Sequence, residues 1–216
     1  MKKLNIAVIC LSIFFANKSF AGDIYFAPSL IASDIEVKNI KSKSETVVLE
    51  KDTVSKGNIG FGADLGYRGN FGRFFIGPEI FFNNYSQTIT DFKNQNNPAL
   101  SDKDKLKIKY VYGLALNLGY KFTPKFALYT RLGFGTAASE ITWYNAENTN
   151  VVSQKDHSSA SIFSIGALYY ISKHSALKFA YDSVDYRTNY GFAVFDDTKS
   201  FDVNIASFNV GMLFKF

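Results

Sequence analysis

Apolar and polar residues alternate along most of this chain, and residues 107–121 show the pattern most clearly. One face of that segment, from Ile108 to Tyr120, consists of isoleucine, tyrosine and leucine. The opposite face carries lysine, valine, glycine, alanine and asparagine. Alternation with a period of two predicts a β-strand. Tyrosines towards both ends with leucines between them are typical of a strand that faces lipid.

Seven further segments alternate in the same way, so the sequence predicts an all-β protein. They lie at about residues 23–35, 58–68, 73–86, 125–139, 159–171, 176–187 and 203–216. The first segment is the least regular because it contains Pro28. Proline has no N–H to donate to a neighbouring strand, so we expect a bulge or a local distortion there.

The links between these segments alternate in length. Short links lie at 69–72, 122–124 and 172–175, and long polar links lie at about 36–57, 87–106, 140–158 and 188–202. Short turns at one end and long loops at the other are typical of outer-membrane barrels. The sequence therefore predicts an eight-stranded antiparallel up-and-down transmembrane β-barrel, with both termini in the periplasm and four loops outside the cell.

The first 21 residues differ from the rest of the chain. Two lysines precede an apolar run, Leu4–Ala16, and the small residues Ser19 and Ala21 follow it. This pattern is typical of a secretory signal peptide that is cleaved between Ala21 and Gly22. The apolar run is too short for a membrane anchor, which needs about 20 residues. We therefore expect a signal peptide at 1–21 and a single barrel domain at 22–216.

Charge and composition exclude several kinds of site. The predicted signal peptide contains three lysines and no acid, so its removal lowers the net charge from +5 to +2. This small excess does not favour nucleic-acid binding. The only cysteine, Cys10, lies in the same segment, so the mature chain has no thiol for a disulfide, a nucleophile or a metal. We find no metal-ligand cluster and no glycine-rich phosphate loop, and we expect no cofactor.

The less apolar face of the predicted strands distinguishes a membrane barrel from a soluble one. A soluble barrel needs a charged outer face, whereas here that face is dominated by glycine, alanine and serine with a few charges. Small side chains suit the narrow interior of an eight-stranded barrel. A closed barrel also satisfies the rule that backbone groups in lipid must bond internally. The pattern therefore favours a barrel in a membrane.

Two segments resemble a known family. Gly166–Tyr181 resembles the sixth strand, turn and seventh strand of the small outer-membrane barrels related to OmpA, OmpX and the opacity surface antigens. The terminal Asn209–Phe216 is similar to the assembly signal of that group. The resemblance implies that the barrel-assembly machinery reads the alternating residues Phe208, Val210, Met212, Phe214 and Phe216. It also implies a surface protein whose loops differ from those of its relatives.

Five charged residues are predicted to face the lumen. Asp64, Glu79, Arg131 and Asp182 fall at similar distances from the short turns, and Lys178 lies slightly lower. An unpaired charge in a narrow lumen is costly. We therefore expect Glu79 and Asp182 to pair with Arg131 and Lys178. Such a network either plugs the lumen or, as a less favoured alternative, gates a path for small solutes.

Two other features have a functional and a simpler interpretation. Asp156, His157 and Ser158 are the residue types of a hydrolase triad, but three successive residues cannot converge as the mechanism requires, so a solvated loop histidine is the simpler interpretation. The lysines of 102–109 could bind lipopolysaccharide phosphates or host polyanions, or they could simply be solvated.

Taken together, these features favour a monomeric, non-enzymatic protein of the bacterial outer membrane. Its expected partners are outer-membrane lipid and lipopolysaccharide, the barrel-assembly machinery, and host surface or serum proteins that its loops bind in adhesion. The alternative is a structural barrel or a narrow channel without a specific ligand.

Overall fold

The computed structural model describes residues 22–40, 53–90, 105–144, 150–192 and 197–216 of the chain. The strands, in chain order, are β1 (Gly22–Ile40), β2 (Thr53–Phe71), β3 (Phe74–Ile89), β4 (Lys105–Thr123), β5 (Phe126–Tyr144), β6 (Asn150–Tyr170), β7 (Ser175–Phe192) and β8 (Asp197–Lys215). Within these ranges, no helix is long and apolar enough to cross a membrane.

Each strand pairs antiparallel with the next, and β8 pairs with β1, so the sheet closes into a barrel. The predicted eight-stranded up-and-down barrel is therefore confirmed. Gly22 and the end of the chain lie at one end of the barrel, where the N–H of Phe216 donates to the carbonyl oxygen of Ile24 at 2.9 Å. The short turns lie at that same end, and one of them contains Gly72 with a φ of 63°, a conformation that favours glycine.

Pro28 disturbs β1 less than its sequence position predicts. The register between β1 and β2 runs without a shift along the whole paired length. The ladder between β1 and β8 skips Ala27 and Pro28 and resumes at Ser29 in the same register. Of the two expected outcomes, the bulge is therefore wrong, and the local distortion takes the form of this gap in one ladder. The effect of proline is limited to one side of the strand, in agreement with its single missing donor.

Large apolar side chains cover the outside of the barrel from the short turns upwards, and we call this surface the apolar band. Its uppermost exposed residues on the eight strands are Leu30, Ile59, Phe82, Tyr112, Phe134, Phe163, Tyr181 and Phe208. Buried charged side chains lie inside the barrel at this level, together with glycine and alanine. An apolar outer surface around a polar filling is the arrangement that lipid requires.

Beyond the apolar band the strands continue, and their pattern of burial reverses; we call this part the extension. Ile141, Val203 and Ile205 point inward there and are fully or almost fully buried, whereas Lys107 and Asp185 are exposed on the outside. An apolar inner face and a polar outer face suit a barrel surrounded by water. All four predicted long loops are therefore too long, because their first and last residues belong to strands.

A β-bulge in β4 separates the band from the extension. The register between β4 and β5 shifts between Ile108 and Tyr110, which makes Lys109 the extra residue. An extra residue changes which face the following side chains occupy. Ile108 is consequently fully buried inside the barrel, and its predicted position on the same outer face as Tyr110 is wrong. Lys107 and Lys109 lie on the outer face instead.

The extension divides into two sheets because two ladders stop early. The β2–β3 ladder ends at Phe61 and Asn84, and the β6–β7 ladder ends at Ala160 and Tyr186. The other six ladders continue almost to the ends of their strands. The extension is thus a sandwich of β7–β8–β1–β2 on β3–β4–β5–β6. We call the two lines where described backbone pairing stops the seams.

Candidate functional site

A layer of charged side chains crosses the lumen inside the apolar band. The guanidinium of Arg131 lies 3.2 Å from Asp64 Oδ1, 2.9 Å from Glu79 Oε1 and 2.6 Å from Asp182 Oδ2. The amine of Lys178 binds the other carboxylate oxygen of Asp64. All five side chains are buried. The structure therefore brings together the five lumen residues that the sequence places at similar heights.

The pairing within this layer differs from the expected one. Glu79 and Asp182 both bind Arg131, whereas the Lys178 amine binds Asp64. The sequence-based expectation gave no partner to Asp64. Arg131 can take three carboxylates because its planar guanidinium has five N–H donors in a fixed fork, which a lysine amine lacks. It is therefore the centre of the layer.

Neutral side chains add hydrogen bonds to this layer, and sequence reasoning did not single them out. Tyr25 OH donates to Glu79 at 2.6 Å, and Asn209 Nδ2 donates to Asp182 at 2.7 Å. Asn117 Nδ2 in turn donates to the hydroxyl of Tyr25 at 2.9 Å. All three occupy inward-facing positions of their strands at about the same distance from the short turns as the charged residues. Those two criteria together could have identified them from the sequence. Such bonds offset part of the cost of burying the ion pairs, while Asp182 Oδ1 and Asn209 Oδ1 have no hydrogen-bond partner among the described residues.

A second cation, Arg68, lies among aromatic rings nearer the short turns. Its guanidinium carbon lies 4.3 Å from the ring centre of Phe75 and 4.9 Å from that of Tyr25. Its Nη1 donates to Tyr170 OH at 3.2 Å. Counting Arg68, the buried charges of the described residues are three carboxylates and three cations. The filling of the lumen is therefore electrically balanced.

A large apolar cluster closes the lumen on the other side of the charged layer. It fills the space between the two sheets of the extension and includes Ile31, Phe81, Leu106, Ile141 and Tyr186. A smaller cluster around Tyr25 and Leu168 lies nearer the short turns. The lumen is thus filled at three successive levels. An interior of eight strands is only wide enough for side chains, and here side chains occupy it.

Asp156, His157 and Ser158 do not assemble into a triad, and they lie within β6 rather than in a loop. Asp156 and Ser158 lie on the inner side of β6, where Ser158 donates to the Asp156 carboxylate at 2.5 Å. His157 is exposed on the outer face, because alternate residues of a strand point to opposite faces. The imidazole therefore lies on the opposite face from the serine and the carboxylate. No group of three or more His, Cys, Asp or Glu that could hold a metal occurs among the described residues.

Asp156 instead bridges the seam between β6 and β7. Its Oδ2 accepts hydrogen bonds from Thr188 Oγ1 at 2.6 Å and from the N–H of Asn189 at 3.4 Å. The other seam is bridged in the same way, because Asn58 Nδ2 donates to the Tyr85 carbonyl oxygen. Polar side chains thus replace backbone pairing along the described seams.

The five residues of the predicted assembly signal lie in one outward row that runs along β8 and ends at Phe216, directly after the strand. Phe208, Val210, Phe214 and Phe216 are exposed on the apolar band, and Met212 is partly exposed between them. Each therefore belongs to the surface that the barrel presents to its surroundings.

Comparisons with known proteins agree with this architecture. A family model described as an outer membrane protein β-barrel domain matches residues 7–216. The chain belongs to this family. It is a bacterial outer-membrane protein, and its apolar band faces lipid. No curated protein sequence matches the chain.

Solved outer-membrane proteins share the fold at low sequence identity. OprG from Pseudomonas aeruginosa is 14% identical, with a TM-score of 0.55 over 91% of this chain and 97% of that chain. Ail, the attachment invasion locus protein of Yersinia pestis, solved with the heparin analogue sucrose octasulfate, is 11% identical, with a TM-score of 0.50 over 90% of this chain and 99% of that one. Similarity at this level of identity establishes the architecture of the barrel and nothing finer.

Proposed function

We propose that this barrel is a non-enzymatic surface protein that contacts external molecules with its extension and its four extracellular loops. The observation that carries the proposal is the filled lumen. Side chains occupy three levels of the interior, so transport of a solute would require an ionic layer and an apolar core to open. The polar outer surface of the extension is accessible without any such change.

The proposal includes a topology and a route of assembly. Segment 1–21 is a signal peptide cleaved between Ala21 and Gly22, and it lies outside the described residues. Both termini lie in the periplasm, and the barrel is a monomer of domain 22–216. The outward row from Phe208 to Phe216 is read by the barrel-assembly machinery before it faces lipid.

The segments that connect the strands of the extension are 41–52, 91–104, 145–149 and 193–196, and they lie outside the described residues. We therefore test their role by replacing all four with short turns. The full-length and the shortened proteins are refolded in zwitterionic micelles and screened against host-surface proteins, serum proteins and sulfated oligosaccharide. Sulfated oligosaccharide is a sensible first probe because a protein of the same fold was solved with a heparin analogue.

Binding that is present in the full-length protein and lost in the shortened one supports the proposal. A difference in gel mobility between boiled and unboiled samples of each protein shows that both proteins are folded barrels. Binding that survives the replacement of all four segments contradicts a role for the loops. Steady conductance through planar bilayers by the wild-type barrel, without any binding, would favour the narrow channel instead.

A further inference from the structure

Lysine side chains form a strip on the outer face of the extension. Lys105, Lys107 and Lys109 lie on β4, and Lys155 lies two strands away on β6. Between them, Glu140 on β5 pairs in register with Lys107 on one side and Lys155 on the other. The five residues are therefore contiguous on one surface, with four positive charges and one negative charge.

The single acid of this strip is already engaged. One carboxylate oxygen of Glu140 forms a salt bridge with the Lys109 amine. The other accepts a hydrogen bond of 2.6 Å from Ser153. Lys107 and Lys155, in contrast, form no salt bridge with another residue in the described ranges, and both are exposed. Lys107 and Lys155 therefore present positive charge that no salt bridge among the described residues neutralises.

The strip begins directly above the aromatic edge of the apolar band. Tyr110 packs against Phe82 and Tyr112, with ring centres 5.8 Å and 6.1 Å apart, and Lys109 immediately precedes Tyr110 in the chain. Aromatic rings of this kind mark the boundary between hydrocarbon and head groups. The head-group layer is roughly 5–8 Å deep on each side of a bilayer. At about 3.4 Å per residue along a strand that is tilted by about 35–45°, Lys107 rises roughly 7–8 Å above Tyr110, so Lys109 and Lys107 both reach that layer.

The opposite side of the extension has the opposite charge. Asp34, Glu36, Asp185 and Asp202 lie on the outer face of β1, β7 and β8. The cations among them are paired, because Arg187 binds Asp202 at 2.6 Å and Lys38 binds Glu36 at 3.1 Å. The outer faces of β1, β7 and β8 thus carry an excess of acids, whereas those of β4 and β6 carry an excess of lysines. A general coat of solvating charge would not produce this asymmetry.

We propose that the lysine strip binds the phosphate groups of an outer-leaflet glycolipid such as lipopolysaccharide. The lysines lie at the height of the head groups and face outwards from the barrel wall, where a lipid molecule packs against Tyr110 and Tyr112. A soluble polyanion would have no reason to match the aromatic boundary. Interaction with lipid at this surface does not depend on what the extracellular loops contact.

The test compares two variants that lose the same charge. Lys107→Gln/Lys155→Gln removes two cations from the strip, and Lys38→Gln/Arg187→Gln removes two cations from the opposite sheet. Each protein is refolded in zwitterionic micelles and titrated with fluorescent phosphorylated lipid A. The same lipid with its phosphates removed and soluble sucrose octasulfate serve as further probes. Gel mobility of unboiled samples checks that every variant is folded.

We expect the strip variant to bind phosphorylated lipid A about 30-fold more weakly than wild type. The reason is that two lysines near a charged membrane surface together contribute about 2 kcal/mol of binding free energy, which corresponds to about 30-fold in affinity. The control variant should bind it like wild type, and lipid without phosphate should bind all three proteins weakly. Equal binding by the strip variant and wild type overturns the proposal. So does strong binding of the dephosphorylated lipid to wild type. Strip-dependent binding of sucrose octasulfate that matches or exceeds that of lipid A overturns the assignment to a lipid.

Discussion

Asp156 on β6 accepts a hydrogen bond of 2.6 Å from Thr188 on β7, beyond the point where backbone pairing between these strands ends. The last described pair of that ladder is Ala160 with Tyr186. A side chain therefore connects the two sheets of the extension at this seam. Its carboxylate also accepts from Ser158 and from the N–H of Asn189, so one residue collects three donors.

Removal of this bridge should loosen the extension without unfolding the barrel. We expect Asp156→Ala to raise amide hydrogen exchange in β7 from Arg187 to Tyr190, because a lost bond to a charged group costs about 1.5–3 kcal/mol. Exchange in the band-level part of β7 should not change. Hydrogen-exchange mass spectrometry of the refolded protein measures both regions.

Asp185→Ala is the matched control for this prediction. Asp185 also lies on β7, but its carboxylate accepts from Asn204 on the outer surface rather than across the seam. Its removal should leave exchange at the seam as in wild type. Equal exchange in Asp156→Ala and wild type would show that the apolar core alone holds the two sheets together.

Arg131 should contribute most to the stability of the lumen. Arg131→Met leaves three buried carboxylates, of which Lys178 binds only Asp64. Removal of one partner from a buried ion pair costs about 3–5 kcal/mol. We therefore expect a lower urea midpoint for unfolding from lipid vesicles than for wild type.

A second substitution separates charge from packing in this layer. If uncompensated charge causes the loss, Arg131→Met/Asp182→Asn should be more stable than Arg131→Met alone, because it removes one of the buried negative charges that Arg131 no longer neutralises. A double variant that is no more stable than the single one would mean that the volume of the arginine matters and its charge does not.

Gly77 should not tolerate a side chain. A Cβ at this position would clash with the carbonyl oxygen of Tyr67, and backbone cannot move aside as a flexible side chain can. Overpacking typically costs about 1–3 kcal/mol, and we expect Gly77→Ala to reach at least the upper end of that range. Gly57→Ala is the control, because its Cβ would meet only the Ser33 oxygen at 4.0 Å. Similar urea midpoints for the two variants would contradict the close approach of β2 and β3.

The sequence predicted the number of strands and the composition of the charged layer because both depend only on alternation. Parity places Asp64, Arg131 and Asp182 on the less apolar face, and distance from the short turns gives their height. It could not assign the pairing, because heights that differ by one residue allow either cation to reach several carboxylates. The choice between Asp64 and Glu79 for Lys178 depends on where two strands meet across the lumen.

The sequence also contains a signal for the extension, but the alternation of apolar and polar residues does not by itself show what that signal means. In β8 the apolar positions are Phe201, Val203 and Ile205, and then Phe208 and Val210, so the apolar row changes parity once. The first three side chains are buried inside and the last two are exposed outside. Alternation shows which residues share a face, but not whether that face points to lipid or to the core. The change of parity marks the upper edge of the membrane.

The sequence contains no comparable signal for the bulge in β4, so the position of the bulge has to be tested directly. Single cysteines can be introduced at positions 107, 108, 109, 110 and 112, because the chain after residue 21 contains no cysteine. Spin labels at Lys107→Cys and Lys109→Cys should be accessible to a water-soluble relaxation agent, and a label at Tyr112→Cys should be accessible to oxygen in the lipid. A label at Ile108→Cys should be inaccessible to both, because Ile108 is fully buried.

Labels at 109 and 110 should both report the outer surface, which strict alternation forbids. Regular alternation from 107 to 112, with position 108 accessible in lipid, would place β4 in the unbroken register that the sequence suggested and remove the lysine strip from the outer face.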